Sequence, residues 1–134
     1  MSVLLVDDEK DFLEVLTKRL RKRKLKLVAA DSGEEAIRAI QNTEIDVVIL
    51  DMRMPQMDGL QTLTEIKRIN PGVEVIMLTG HANVETAVKG MELGAFDYLM
   101  KPVDIDELLY KVQDAFKKKS MSEQGSGKAR LAND

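Results

Sequence analysis

The chain has 134 residues, 44% apolar and 32% charged, with a net charge of −3. That is one domain's worth of core in an ordinary globular composition, with no global electrostatic pull toward nucleic acid or membrane. The absence of cysteine excludes disulfides, thiolate catalysis and Cys-ligated metals, and one histidine, His81, excludes a multi-histidine zinc site. No signal-like segment opens the chain and no apolar run nears the ~20 residues that span a bilayer, so the expectation is a cytoplasmic protein.

Val3-Leu4-Leu5-Val6 is a short apolar run that reads as a buried strand, and it ends in Asp7-Asp8-Glu9. Phe12, Leu13, Leu16 and Leu20 then recur at helical spacing, and the helix ends in the basic run Lys18, Arg19, Arg21, Lys22, Arg23 and Lys24. Alternation over residues 24–28 predicts a second strand with one exposed face. Asp31-Ser32-Gly33 is a turn and helix start, with Ala36, Ile37 and Ile40 as the apolar stripe. Val47-Val48-Ile49-Leu50 is a third strand, and it stops at Asp51 before a loop holding Pro55 and Gly59.

A third helix carries Leu60, Leu63, Ile66 and Ile69 and is closed by Asn70-Pro71-Gly72. Residues 73–78 form a fourth strand, interrupted only by Glu74 and ending at Thr79-Gly80-His81. Asn83 is placed to cap a fourth helix with Val84, Ala87, Val88 and Met91, stopped by Gly94. Residues 96–100 are a fifth strand ending at Lys101-Pro102. Asp104 to Glu107 has capping-box spacing for a last helix, with Leu108, Leu109, Val112 and Phe116 facing inward. From Ser120 the chain lacks periodicity and apolar mass, which predicts one folded unit over residues 1–119 and a polar tail or truncated linker over 120–134.

Five strands alternating with five helices predict an α/β fold, a parallel sheet covered on both faces. Strands one, three and four are nearly continuous apolar runs and belong in the centre, while strands two and five carry charge and belong at the edges. The order favoured is 2-1-3-4-5, a flavodoxin-like doubly wound (βα)5 sheet, whose ligands bind beyond the carboxyl ends of the strands.

That edge gathers Asp7, Asp8, Asp51, Thr79 and Lys101. Clustered carboxylates repel, and a hard cation such as Mg²⁺ relieves them while leaving positions for a phosphate oxygen. A carboxylate can attack phosphorus, with Lys101 and Thr79 meeting the charge on the transferring group. Taken singly, the acidic pair can cap the first helix, Thr79 can simply end a strand, and Lys101 can be a solvated lysine. A phosphatase of the haloacid dehalogenase type also combines Asp, Thr, Lys and Mg²⁺, but it needs a second Asp two residues after the nucleophile, where this chain has Arg53.

From residue 3 to about 118 the chain resembles the receiver domain of two-component response regulators. The resemblance rests on Asp7-Asp8, the block from Leu50 to Gly59, Thr79-Gly80-His81, and Lys101-Pro102 after Tyr98. Residues 95–102 are similar to receivers that precede AAA+ activators of transcription. The resemblance implies a phosphorylation-switched module, not an enzyme acting on other substrates. In it Asp51 accepts phosphate from a histidine kinase or histidine phosphotransfer protein.

It further implies Mg²⁺ held by Asp8, Asp51 and the Arg53 carbonyl, with Asp7 acting through a water. Thr79 and Tyr98 form a switch pair, Arg53 and His81 control dephosphorylation, and the Lys101–Pro102 peptide is cis. Signalling would pass through the face of the fourth helix, fifth strand and fifth helix, which also admits a homodimer. The output domain or partner lies outside this chain. The basic run over 18–24 reads as a solvated helix end suited to the helix dipole, so direct nucleic-acid or membrane binding by this domain is not expected.

Overall fold

The computed structural model describes residues 1–54, 58–80 and 84–133, with side chains through residue 123. Its elements are β1 (Ser2–Val6), α1 (Lys10–Arg21), β2 (Lys26–Ala30), α2 (Gly33–Asn42), β3 (Val47–Asp51), α3 (Gly59–Ile69), β4 (Glu74–Thr79), α4 (Val84–Glu92), β5 (Asp97–Met100) and α5 (Ile105–Asn133). The five strands form one sheet in the expected order, β2-β1-β3-β4-β5, and every neighbouring pair is parallel.

Side chains alternate across a strand, and that splits the apolar runs between two cores. Leu4, Val6, Val48, Leu50 and Met77 face one side and meet Ala36, Ile40, Leu63 and Ile66 of α2 and α3. Val3, Leu5, Ile49, Ile76 and Leu78 face the other and meet Leu16 and Leu20 of α1 with Leu108 and Val112 of α5. Each fully buried Leu or Ile contributes about 1.5–3 kcal/mol, so the central strands β1, β3 and β4 hold the sheet edge rigid where the polar residues emerge.

Four local expectations need correction. The second strand begins at Lys26 rather than Lys24, because Lys24 sits in the left-handed region at φ 62° and forms a turn. Its alternation is also incomplete: Leu27 and Val28 pack into opposite cores, so helices cover both faces of this edge strand. On α4 the apolar stripe is mostly open, with Val84, Val88 and Met91 exposed and Ala87 buried. Finally, α5 runs to Asn133 instead of giving way to an aperiodic tail after Lys119. Its path past residue 117 is anchored by Lys118 to Glu74 (3.5 Å) and Lys119 to Asp46 (3.1 Å), with Lys119 also pairing to Glu123 one turn on. The Asn83 cap expected for α4 lies outside the described residues.

The α3 N-terminus sets the far wall of the β3 loop. Asp58 accepts from the Gln61 amide at 2.8 Å, and the Gln61 side chain accepts from the Asp58 amide at 3.1 Å, a complete capping box. Gly59 follows, where an added Cβ would stand 2.5 Å from Met52 Cα. Backbone cannot yield as a side-chain tip can, so Gly59→Ala is expected to lose about 2 kcal/mol or more of stability. At Gly72 the nearest neighbour would be Asn70 Oδ1 at 3.5 Å, and Ala there should cost far less. Urea melts of the two variants check the contrast.

Candidate functional site

Strand register brings the polar residues to one level. Val6 pairs with Leu50, so the next residues, Asp7 and Asp51, leave the sheet side by side. Asp51 pairs with Leu78, and Thr79 pairs with Met100, so Thr79 and then Lys101 step up along the same edge. Backbone hydrogen bonds extend the ladder past the strand ends. The Asp7 amide donates to Ala30 O (3.1 Å), the Met52 amide to Leu78 O (3.0 Å) and the Lys101 amide to Thr79 O (2.8 Å).

One carboxylate oxygen from each of Asp7, Asp8 and Asp51 lies within 4.8 Å of the others. Asp7 and Asp51 are buried, at 2% and 3% exposure, and Thr79 is buried as well. Lys101 Nζ reaches into this cluster. It donates to Asp7 Oδ2 at 3.0 Å and lies 3.8 Å from Asp51 Oδ1 and 3.7 Å from Glu9 Oε1. The Arg53 amide donates to Asp51 Oδ1 at 3.1 Å, and the Glu9 amide to Asp7 Oδ1 at 2.9 Å.

Burial pushes the Asp51 carboxyl up to about 7, assisted by the nearby Asp7 and opposed by the Arg53 amide and Lys101. For Lys101, burial pulls the ammonium down, but the Asp7 hydrogen bond and the charges of Asp51, Asp7 and Glu9 outweigh it and leave its pKa raised. One lysine cannot balance three carboxylates. The donor set is all oxygen, partly buried and open on the Asp8 side, which fits a hard divalent cation such as Mg²⁺.

Glu9 and Phe12 belong to this site and were not singled out for it from sequence. The Phe12 ring lies 4.3 Å beneath Lys101 Nζ and holds the ammonium from the apolar side. Glu9 had a signal, as the third acid in the run 7–9, whereas Phe12 looked like an ordinary helix core residue. Arg53 is exposed beside the cluster, the Lys101–Pro102 peptide is cis as expected, and His81 lies outside the described residues.

Tyr98 stands apart from the carboxylates and is 43% exposed. It shares with Thr79 an apolar groove of about 450 Å³, lined also by Val84, Val88, Met91 and Met100. Among the described residues no helix is long and apolar enough to cross a membrane.

Residues 3–113 match the family described as response regulator receiver domain. The chain is 42% identical over 113 residues to the transcriptional regulatory protein GlrR of Escherichia coli K12, covering 84% of this chain and 26% of that protein. It thus spans about a quarter of the length of such curated relatives. Among solved structures, a response regulator receiver domain protein from Clostridium thermocellum superposes with a TM-score of 0.86 at 38% identity, over 90% of this chain and 97% of that one. NtrX from Brucella abortus, solved with ADP, gives 0.88 at 31% identity, over 93% of this chain and 29% of that one. Receivers of this kind are phosphorylatable, generally bind Mg²⁺ in an acidic pocket and work with histidine kinases. On the extent of that match, the chain belongs to the receiver domains of two-component response regulators.

Proposed function

We propose that Asp51 is the phosphoacceptor. The observation that carries this is its position: a buried carboxylate at the end of a central strand, within reach of Asp7, Asp8 and Lys101. An Asp51 oxygen attacks the phosphorus of a phosphohistidine on a histidine kinase or phosphotransfer protein. The P–N bond breaks, the imidazole leaves, and an aspartyl phosphate forms. Asp7, Asp8, Asp51 and the Arg53 carbonyl are the residues to hold Mg²⁺, which when bound offsets the charge on the phosphoryl oxygens. Lys101 and the Thr79 hydroxyl contact those oxygens from the other side. With its pKa at about 7, Asp51 is only partly ionised at neutral pH, and a cation bound beside it favours the nucleophilic carboxylate.

In this reading Thr79 moves toward the phosphoryl group and Tyr98 turns into the groove that the two residues share. The face formed by α4, β5 and α5 then changes its partners, a homodimer among them. Residues 1–119 act as the receiver unit. The segment from 120 links it to an output domain, consistent with relatives about four times as long. Incubation with acetyl phosphate should add one acid-labile phosphoryl group in Mg²⁺ and none in excess chelator. Uptake independent of Mg²⁺ would count against this site.

The lifetime of that phosphate should depend on what overhangs it. Arg53, exposed and two residues past Asp51, is long enough to pair with phosphoryl oxygens and exclude an in-line water. His81 is proposed as the second controlling position. With Mg²⁺ saturating, Arg53→Ala is expected to shorten the half-life severalfold. Equal lifetimes in Arg53→Ala, His81→Ala and the parent would reject control at both positions.

A further inference from the structure

We propose that the corner where α1 ends and β2 begins is a second binding surface, fitted to the phosphate backbone of duplex nucleic acid. Lys18, Arg19, Arg21, Lys22, Arg23 and Lys24, joined by Lys26, place seven of the chain's 20 Lys and Arg within nine residues. All seven are exposed. Their ion pairs among the described residues are Lys18–Glu14 (3.2 Å) and Arg23–Asp106 (3.6 Å), both solvent-facing and therefore weak.

The helix dipole explains only part of this run. It favours cations in the last turn of α1, which are Lys18, Arg19 and Arg21. Arg23, Lys24 and Lys26 lie past that end. Lys18 and Lys22, the latter the C-cap of α1, are like-charge neighbours four residues apart, a spacing that costs stability on a helix. Lys24 adds a second cost. It occupies the left-handed region at φ 62°, directly after a helix, where glycine is the unstrained residue. Two stability costs are thus accepted to keep charge at this corner.

The chemistry of the patch favours a duplex backbone over other polyanions. Three arginines supply forked donors that match phosphate oxygens. Among the described residues one exposed aromatic ring, Tyr110, shares a groove with Arg23, Met1 and Leu25 at this corner. A single ring is too little for a run of stacked unpaired bases, and the cations outnumber the apolar side chains that would enter a bilayer. Lys26 pairs with Ser2 at the start of β1, so the corner lies roughly 15 Å, one strand length, from Asp51. A partner bound here leaves the phosphorylation edge free.

The test is fluorescence anisotropy of the full chain with a labelled mixed-sequence duplex of about 20 base pairs at ~50 mM salt. The expected Kd is on the order of 10⁻⁵ M, and it weakens steeply as salt rises. Combined Arg19→Gln, Arg21→Gln, Lys22→Gln and Lys24→Gln should lose at least about tenfold in affinity and flatten the salt slope. Lys24→Gly separates charge from fold: it should raise the melting temperature yet weaken duplex binding severalfold. Absence of saturable duplex binding, affinity unchanged in either variant, or preference at equal salt for anionic vesicles or polyglutamate would overturn the proposal.

Discussion

Metal-free Asp51→Asn should be more stable than the parent at pH 8, by roughly 2–4 kcal/mol, and no more stable at pH 4. The folded-state pKa of Asp51 is raised to about 7 from an ordinary 3.8, by burial first and by Asp7 second. A carboxyl raised in this way favours the fold while it is protonated. Its contribution is therefore fully present below about pH 4 and is lost as pH rises through about 7. Asparagine keeps an oxygen to accept the Arg53 amide and never ionises, so it escapes the loss. Chemical denaturation at the two pH values, in chelator, reads the effect directly. A stability difference that does not change with pH would mean that Asp51 ionises freely in the fold. Saturating Mg²⁺ should narrow the gap at pH 8, because a cation that binds only the folded parent stabilises it.

Lys101→Ala is expected to have the opposite sign. The ammonium is the one cation within 4 Å of both Asp7 and Asp51 among the described residues, and both carboxylates are buried. Removing one partner of a buried pair leaves the other charge uncompensated, at a cost of about 3 kcal/mol in metal-free protein at pH 8. At pH 4, with Asp51 protonated, the cost should be smaller. Mg²⁺ should recover much of it, since the cation replaces the missing positive charge. Mg²⁺ binding itself should survive the substitution, while Thr79 and Tyr98 no longer respond to phosphorylation. A variant as stable as the parent at pH 8 without metal would show that Lys101 is not the counter-charge of this cluster.

Much of this was legible in the chain because the signals are local. A buried strand must be apolar, so the runs 3–6, 47–50 and 73–78, the last interrupted only by Glu74, declared themselves as central. A charge at the end of such a run has no place in the core, which singled out Asp7 and Asp51, and the strand order then set Thr79 and Lys101 at the same edge. What stayed hidden depends on contacts through space. The spacing of Val84, Val88 and Met91 predicts a helix with an apolar face but does not say whether anything covers that face, and in the fold it borders an open groove.

Periodicity missed the course of α5 past Lys119 for a related reason. Lys118 and Lys119 are held by Glu74 and Asp46 at the starts of β4 and β3, residues distant in sequence. Lys24 was placed in a strand because alternation continues through it, whereas its left-handed backbone makes a turn. Phe12 looked like core, and only the fold puts its ring under Lys101.

The central claim, that Asp51 carries the phosphate, is tested most directly by reductive trapping. After acetyl phosphate and Mg²⁺, borohydride converts an aspartyl phosphate to homoserine, and peptide mass spectrometry locates it. The expected result is homoserine at position 51 alone, with none at Asp7 or Asp8 and no phosphoryl uptake in Asp51→Asn. Homoserine at another acid in the parent, or full uptake in Asp51→Asn, would contradict the assignment.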